Sequence, residues 1–182
     1  MKSPLDNQCR KIVVLDTSAF LAGFDPFSLG EEQVTVPEVE KEIKRNAMIK
    51  TRFETAVESG RLKVKDPSEE FVTQAKAYAS NVGDSFKLSQ ADMQLLALAL
   101  QLKTQSYSPQ LVTDDYSIQN VAKQMGIEFV ALATFGIKRL VEWMRYCPAC
   151  YHEYPADSPF KECQVCGTEL KRKPRRTQQP QR

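Results

Sequence analysis

The sequence of 182 residues is long enough for one ordinary domain and a small second module, and its hydrophobic fraction of 42% suffices for a buried core. No apolar run approaches the roughly 18–20 residues that a helix needs to cross a bilayer. The N-terminus, MKSPLDNQCRK, contains no apolar signal segment. We therefore expect a soluble, cytoplasmic protein without a membrane partner.

Charge is distributed unevenly along the chain, although the net charge is only +2. Residues 138–182 contain 10 Lys and Arg against 5 Asp and Glu, whereas residues 1–137 contain 15 against 18. The last twelve residues, KRKPRRTQQPQR, hold six of the basic side chains. A basic end on an acidic body favours a polyanionic partner, although a disordered solubilising tail would have the same composition.

Short apolar runs alternate with helical patterns along most of the chain. The predicted strands are 12–15, 34–36, 62–64, 111–113 and 127–131. The predicted helices are 37–60 with a break near Asn46, 66–83 with Asp66 as N-cap and Pro67 in the first turn, 89–103 with Ser89 as N-cap, 116–125, and 134–146. This alternation predicts an α/β fold in which helices cover both faces of a parallel sheet.

Acidic residues follow the predicted strands or open the helices beside them. Asp16 comes directly after the first strand, and Asp114 and Asp115 come after LVT. The other members of this set are Glu38 and Glu42, four residues apart on one helix, and Asp92 in the first turn of another. Because ligands of parallel sheets bind outside the carboxyl ends of the strands, these acids are candidates for one shared site.

Each acid also has a structural interpretation. Asp92 lies three residues after Ser89, which is the spacing of a capping box. The two glutamates suit the first turns of a helix, and the two aspartates after LVT could cap the helix that follows. The shared site is favoured by the acids as a set rather than by any one of them.

The chemistry available to such a site is restricted. The single histidine, His152, lies among the cysteines, and the main body has neither a nucleophilic triad nor a glycine-rich phosphate loop. Clustered carboxylates repel one another unless cations bind, and hard oxygen ligands suit magnesium or manganese. The acids therefore indicate metal-dependent hydrolysis of phosphodiesters.

Four of the five cysteines form two C-x2-C pairs separated by twelve residues: Cys147 and Cys150, then Cys163 and Cys166. This spacing predicts a structural zinc site with four thiolate ligands, with rubredoxin-like iron as the alternative. We expect His152 to be a surface residue and Cys9 to be a free thiol. A module this small has little core, so metal binding should supply much of its folding free energy.

Four segments resemble the acidic motifs of PIN-domain ribonucleases, in the order found in that family: VVLDTSAFL, VPEVEKEI, LSQADMQLLALAL and LVTDDYSIQNVA. The resemblance implies a PIN-like fold over 11–145, preceded by a short extension at 1–10. It also implies that the catalytic metal-binding acids are Asp16, Glu42, Asp92 and Asp115. Glu38 and Asp114 are the secondary candidates.

A PIN domain followed directly by a zinc ribbon, expected at 146–170, is similar to the archaeal form of the Nin-one-binding (Nob) family. The resemblance implies an endoribonuclease that cleaves precursor small-subunit rRNA at its 3′ end. Its partners would be that RNA and the pre-small ribosomal subunit, with no small-molecule substrate. A toxin-like PIN ribonuclease and a non-catalytic RNA-binding adaptor are the alternatives. The first usually lacks a ribbon, and the retention of all four acidic motifs argues against the second.

Contacts to RNA are expected from basic side chains, most of them in a disordered tail at 171–182. The candidates are Lys171, Arg172, Lys173, Arg175 and Arg176 at this end, with Lys44, Arg45 and Arg52 near the acids. Tyr151, Tyr154 and Phe160 could stack on unpaired bases, or could instead pack the small ribbon.

Overall fold

The computed structural model describes residues 9–134, 136 and 141–175. The strands are β1 (Lys11–Leu15), β2 (Glu32–Thr35), β3 (Leu62–Val64), β4 (Ser108–Val112), β5 (Glu128–Val130), β6 (Trp143–Tyr146), β7 (Glu153–Tyr154) and β8 (Lys171–Pro174). The helices are α1 (Thr17–Leu21), α2 (Pro37–Lys44), α3 (Ala47–Glu58), α4 (Glu69–Val82), α5 (Gln90–Thr104) and α6 (Tyr116–Gln124).

The first five strands form one parallel sheet in the order β3-β2-β1-β4-β5, flanked by helices. The central strand β1 is fully apolar from Ile12 to Leu15, and these side chains are buried. Such a continuous apolar run is typical of a parallel strand that is covered on both faces. The predicted α/β class with a parallel sheet is therefore confirmed.

Helix α5 is buried on nearly every side, because it packs between the sheet and its neighbouring helices. Every residue from Leu95 to Leu100 is buried. A helix that is apolar all round belongs in a core rather than on a surface. Its N-terminus is held by the predicted capping box between Ser89 and Asp92, so its first turn has a defined position.

The last three strands form a separate antiparallel sheet in the order β7-β6-β8. The four clustered cysteines belong to this part of the chain, in an arrangement compatible with a zinc ribbon. The sheet begins at Trp143, where the sequence predicts the end of a helix over 134–146. That prediction is wrong at 143–146, because β6 pairs with β7 and β8, and Trp143 pairs with Pro174 far along the chain. Residues 135 and 137–140 of the predicted helix lie outside the described residues.

Two further expectations differ from the structure. Residues 171–174 form β8, which pairs with β6, so they are not part of a disordered tail. Residues 176–182, which include the predicted RNA contact Arg176, lie outside the described residues.

Helix α4 begins at Glu69 with Ser68 as N-cap, not at Asp66. The Gln101 side chain from α5 accepts the Ser68 N–H at 2.9 Å, a tertiary contact that local sequence does not encode.

No helix within the described ranges is long and apolar enough to cross a membrane.

Candidate active site and metal centre

Asp16 lies at the carboxyl end of β1, with only 6% of its surface exposed. Its Oδ1 accepts a hydrogen bond from the Thr17 N–H at 2.6 Å. Its Oδ2 accepts from the hydroxyls of Ser18 at 2.6 Å and Thr113 at 2.8 Å. Burial raises the pKa of this carboxyl above its ordinary value, although the three hydrogen bonds oppose the shift. The acid is therefore desolvated but held in one orientation.

The two glutamates of α2 have different surroundings. Glu42 accepts a hydrogen bond from the Thr17 hydroxyl at 2.6 Å, next to Asp16. Glu38 instead pairs with Lys41 at 2.6 Å on its own helix. The contact through Thr17 brings Glu42, and not Glu38, to the edge where Asp16 lies.

Asp92 combines a capping role with a place near the other acids. Its Oδ2 accepts the Ser89 N–H at 2.7 Å, which completes the capping box of α5. Burial, followed by repulsion from Asp16 and Asp115, raises the pKa of Asp92, although the bonds to Ser89 oppose this. Asp92 therefore belongs to the capping box, as its spacing from Ser89 predicts. The hydrogen bond from the Ser89 N–H uses only one of its two carboxylate oxygens.

Asp115 is the N-cap of α6 and is exposed. Its Oδ1 accepts from the backbone N–H groups of Ser117 at 2.6 Å and Ile118 at 3.3 Å. Its own N–H donates to the Thr113 hydroxyl, which also binds Asp16. One threonine therefore joins the ends of β1 and β4.

Asp114 points to a different structure, the loop that follows β5. Its carboxylate accepts hydrogen bonds from the backbone N–H groups of Leu132, Ala133 and Thr134, at 2.9–3.1 Å, and from the Thr134 hydroxyl. Burial would raise the pKa of Asp114, but these bonds outweigh it and lower the pKa. The carboxylate is saturated by the loop, which argues against a direct role in binding a metal.

The acidic edge is defined here as Asp16, Glu42, Asp92 and Asp115. Asp16 and Asp92 each gain a higher pKa from repulsion by Asp115, so three of the acids share one electrostatic environment. Within the described residues, the four cysteines form a group of side chains that could hold a metal ion, whereas the four acids do not form such a group. Mutual repulsion of carboxylates has this effect, and a bound cation would reduce it.

Sequence reasoning missed the hydroxyl side chains that hold the acids. Thr17, Ser18 and Thr113 orient Asp16 and Glu42, and the Ser18 hydroxyl also accepts the Asp114 N–H at 3.0 Å. The available indication was their position directly beside the acids in LDTS and VTDD.

The four predicted cysteines meet at one point. The Sγ atoms of Cys147 and Cys166 are 3.3 Å apart, and those of Cys150 and Cys163 are 3.4 Å apart. All four Sγ atoms lie within 4.8 Å of one another, so the group could hold a metal ion. His152 is not in this group, and Cys9 is exposed and free, as expected.

Hydrogen bonds also support the cysteine centre. The Tyr154 hydroxyl lies 3.2 Å from Cys163 Sγ and lowers the pKa of that thiol to about 6. The same hydroxyl accepts the Gln164 N–H at 2.9 Å, and the Val165 N–H donates to Cys163 Sγ. These bonds favour the thiolate, the form that binds metals. Tyr154 is buried here, as expected if it packs the ribbon, whereas Tyr151 and Phe160 are exposed.

The predicted RNA-binding side chains divide into free and engaged groups. Arg45, Arg52, Lys171 and Arg175 are exposed. The other described candidates have acidic partners: Lys44 with Glu40, Lys173 with Glu153, and Arg172 with the buried Asp84.

Comparison with known proteins agrees with this architecture. A family model described as the PIN domain of ribonuclease matches residues 13–102. Endoribonuclease Nob1 of Methanothermobacter thermautotrophicus is 39% identical over 171 residues, which cover 93% of this chain and 96% of the relative. The chain belongs to the Nob1 family of PIN-domain endoribonucleases. Ribonuclease VapC1 of Thermoplasma acidophilum is 36% identical over 88% of this chain and 77% of its own. RNA-binding protein NOB1 of mouse is 36% identical over 51% of this chain and 22% of its own.

Membership of the Nob1 family makes the acidic edge the candidate active site, and the first prediction tests Asp92. Asp92→Asn should lower the rate of RNA cleavage by more than about 100-fold. Losing a residue that only orients a metal ligand typically costs roughly 10–100-fold, and losing a proposed ligand itself should cost more. The fold should be retained, because the amide oxygen can still accept the Ser89 N–H. Glu38→Gln is the matched control and should cleave at the wild-type rate. Wild-type activity of Asp92→Asn would show that Asp92 serves only in the helix cap.

The second prediction concerns the stability of metal-free protein. The pKa of Asp92 is raised above 3.8 in the folded state, so its contribution to stability is complete below that pH and is lost as the pH rises through the folded-state pKa. Asp92→Asn should therefore gain stability relative to wild type between about pH 4 and neutrality. Denaturant unfolding with chelator present measures the difference, with the exposed Asp66→Asn as control. A difference independent of pH would contradict the desolvation of Asp92.

Proposed function

We propose that this protein is a metal-dependent endoribonuclease that cleaves precursor small-subunit rRNA at its 3′ end, in the cytoplasm, during ribosome biogenesis. The observation that carries the proposal is the acidic edge at the carboxyl ends of β1 and β4 in a chain of the Nob1 family. The family resemblance supports the choice of RNA substrate and of the pre-small ribosomal subunit as the particle that contains it. The acids support the proposed type of reaction, metal-dependent hydrolysis of a phosphodiester.

The acidic edge suits a hard divalent cation. Asp16, Glu42, Asp92 and Asp115 offer only oxygen donors, and the capping bonds of α5 and α6 use one oxygen of Asp92 and one of Asp115. These four side chains would hold magnesium or manganese. Such an ion, when bound, activates a water molecule and offsets charge on the reacting phosphate.

The chain's own residues set the geometry of the reaction. Thr17, Ser18 and Thr113 hold the carboxylates of Asp16 and Glu42 by hydrogen bonds of 2.6–2.8 Å, which limits their reorientation. Water attacks the phosphorus and the 3′ oxygen leaves, so the products carry a 3′-hydroxyl and a 5′-phosphate. Exposure of Glu42 and Asp115 leaves the edge open to an RNA chain.

The cysteine centre suits structural zinc. A tetrahedral site with Zn–S bonds of about 2.3 Å places its sulfur atoms roughly 3.8 Å apart, close to the separations of the four Sγ atoms. With four thiolates, all positions of a tetrahedral ion are filled by protein. This ion would stabilise the ribbon and take no part in cleavage.

Exposed basic side chains would bind the RNA backbone. Lys171 and Arg175 on the ribbon, with Arg45 and Arg52 on the body, are free of acidic partners among the described residues. Phosphate contacts of this kind position RNA without reading its sequence. Lys44 and Lys173 would have to exchange an acidic partner for a phosphate.

A broader ribonuclease without preference for rRNA is the second candidate, because the relative named Ribonuclease VapC1 also covers most of this chain. Comparable cleavage of unrelated RNAs would favour it. Binding of precursor RNA without cleavage under any metal condition would favour the adaptor.

The third prediction concerns the cysteine centre. Purified protein should contain one zinc ion per chain. Cys163→Ser should release the zinc and unfold the ribbon. The part of the chain that contains the parallel sheet, here called the PIN body, should stay folded around its own core. Elemental analysis and NMR spectra of the two units measure these outcomes. Cys9→Ser is the matched control and should retain zinc. Iron in protein from native cells, or a folded ribbon without metal, would contradict the assignment.

The fourth prediction tests the proposed function itself. A brief, mild chelator treatment should stop cleavage of a precursor fragment that spans the 3′ end of small-subunit rRNA, while zinc stays bound. Manganese or magnesium should restore a single cut at that end, with the products named above. The ribbon retains its ion because four thiolates enclose it, whereas the acidic edge exchanges with solvent. Cleavage that persists without exchangeable metal would contradict the metal-dependent mechanism. Cuts at random positions would contradict the proposal that precursor small-subunit rRNA is the substrate.

A further inference from the structure

The ribbon is joined to the PIN body by a buried ion pair. Arg172 on β8 donates from Nη2 to Asp84 Oδ1 at 2.6 Å and to the Gly83 carbonyl at 2.7 Å. Asp84 belongs to the loop after α4 and is only 1% exposed. The guanidinium also stacks on the Trp143 ring, with its carbon 4.2 Å from the ring centroid. A planar guanidinium suits a contact that combines a carboxylate, a carbonyl and an aromatic ring.

The second oxygen of Asp84 connects this pair to α6. Asn120 donates from Nδ2 to Asp84 Oδ2 at 2.6 Å and to the Val141 carbonyl at 2.7 Å, and its Oδ1 accepts the Val141 N–H at 2.8 Å. Asn120 is itself 3% exposed. Val141, two residues before β6, is therefore held by α6, and β8 is held by Asp84.

The backbone at Gly83 allows the two units to approach this closely. Gly83 has φ of +73°, and a Cβ at this position would overlap Ala156 Cβ and lie 2.9 Å from the Trp143 carbonyl oxygen. A side chain here would push the ribbon away from the body.

The joint is defined here as Asp84, Asn120 and Arg172, and it lies next to two elements that carry proposed catalytic acids. Asp84 lies in the short loop before α5, whose first turn carries Asp92. Asn120 lies on α6, whose N-cap is Asp115.

We infer that the joint is a positioning device, which fixes the ribbon relative to the acidic edge so that RNA held on the ribbon presents one phosphodiester for cleavage. This inference rests on the proposed function. It gives Arg172 a role different from the direct RNA contact expected from the sequence, because its guanidinium is already committed to Asp84, Gly83 and Trp143.

Asp84→Asn separates the two roles of Arg172. The substitution makes the protein more positive, so it should strengthen RNA binding slightly if Arg172 contacts phosphates. If the joint positions the ribbon, the substitution should instead lower the rate at the native position of a long precursor RNA by roughly 10–100-fold, the scale expected for misplacement by about 1 Å. Cuts at neighbouring positions should rise. A short oligonucleotide that reaches only the acidic edge should be cut with unchanged kcat and KM.

Arg172→Gln and Lys171→Gln form a matched pair on β8. Both lose one positive charge, but only Arg172 belongs to the joint. Lys171→Gln should weaken binding of long RNA without moving the cut, whereas Arg172→Gln should spread the cuts as Asp84→Asn does. The double variant Asp84→Asn/Arg172→Gln should be no worse than either single variant, since both remove the same interaction.

NMR relaxation of the zinc-loaded full chain provides a readout that is independent of cleavage. Wild type and Lys171→Gln should show one rotational correlation time for body and ribbon, and both joint variants should show two. One correlation time in every variant, or an unchanged cut position with Asp84→Asn, would overturn the inference. If wild type fails to cleave any precursor RNA, the proposed function fails, while the relaxation data still decide whether the joint holds the ribbon.

Discussion

The burial of one carboxylate, Asp16, determines the arrangement of the acidic edge. A charged group directly after the apolar residues Ile12–Leu15 of β1 is costly unless polar partners compensate for lost water. Three hydrogen-bond donors surround this carboxylate, and one of them, Thr113, also accepts the N–H of Asp115. The ends of β1 and β4 are thereby tied together. Burial, and to a lesser extent repulsion from Asp115, still raise the pKa of Asp16, and a bound cation would counter both effects.

Two groups of potential metal ligands differ in ligand type and in their place in the fold. Oxygen donors lie at the edge of a sheet whose core is independent of them, so the cation proposed for that edge would not be needed for folding. Sulfur donors lie in a module with hardly any core, where Cys147, Cys163 and Tyr154 are the buried cluster. The ion proposed for that module is therefore part of its folding, and the two sites should respond differently to chelation.

The contact between the ribbon and the rest of the chain includes a buried ion pair. Breaking a buried ion pair on one side leaves an uncompensated charge, which commonly costs about 3–5 kcal/mol. Asp84 and Arg172 are paired in this way, and Asn120 uses the remaining oxygen of Asp84. Such a contact is suited to specifying one arrangement of the units. Asp84 lies in the loop before α5, which carries Asp92, and Asn120 lies on α6, which Asp115 caps.

The sequence by itself determined the α/β class, the central apolar strand, the capping box at Ser89 and the cysteine group, because each depends on periodicity or on short spacings. The tertiary structure alone decided that Glu42 rather than Glu38 contacts the acidic edge, and that the Asp114 carboxylate binds the loop after β5. It also decided that 143–146 and 171–174 are paired strands and that Arg172 joins the units. These features depend on contacts between segments far apart in the chain, such as Arg172 with Asp84, which local patterns of charge and hydrophobicity do not contain.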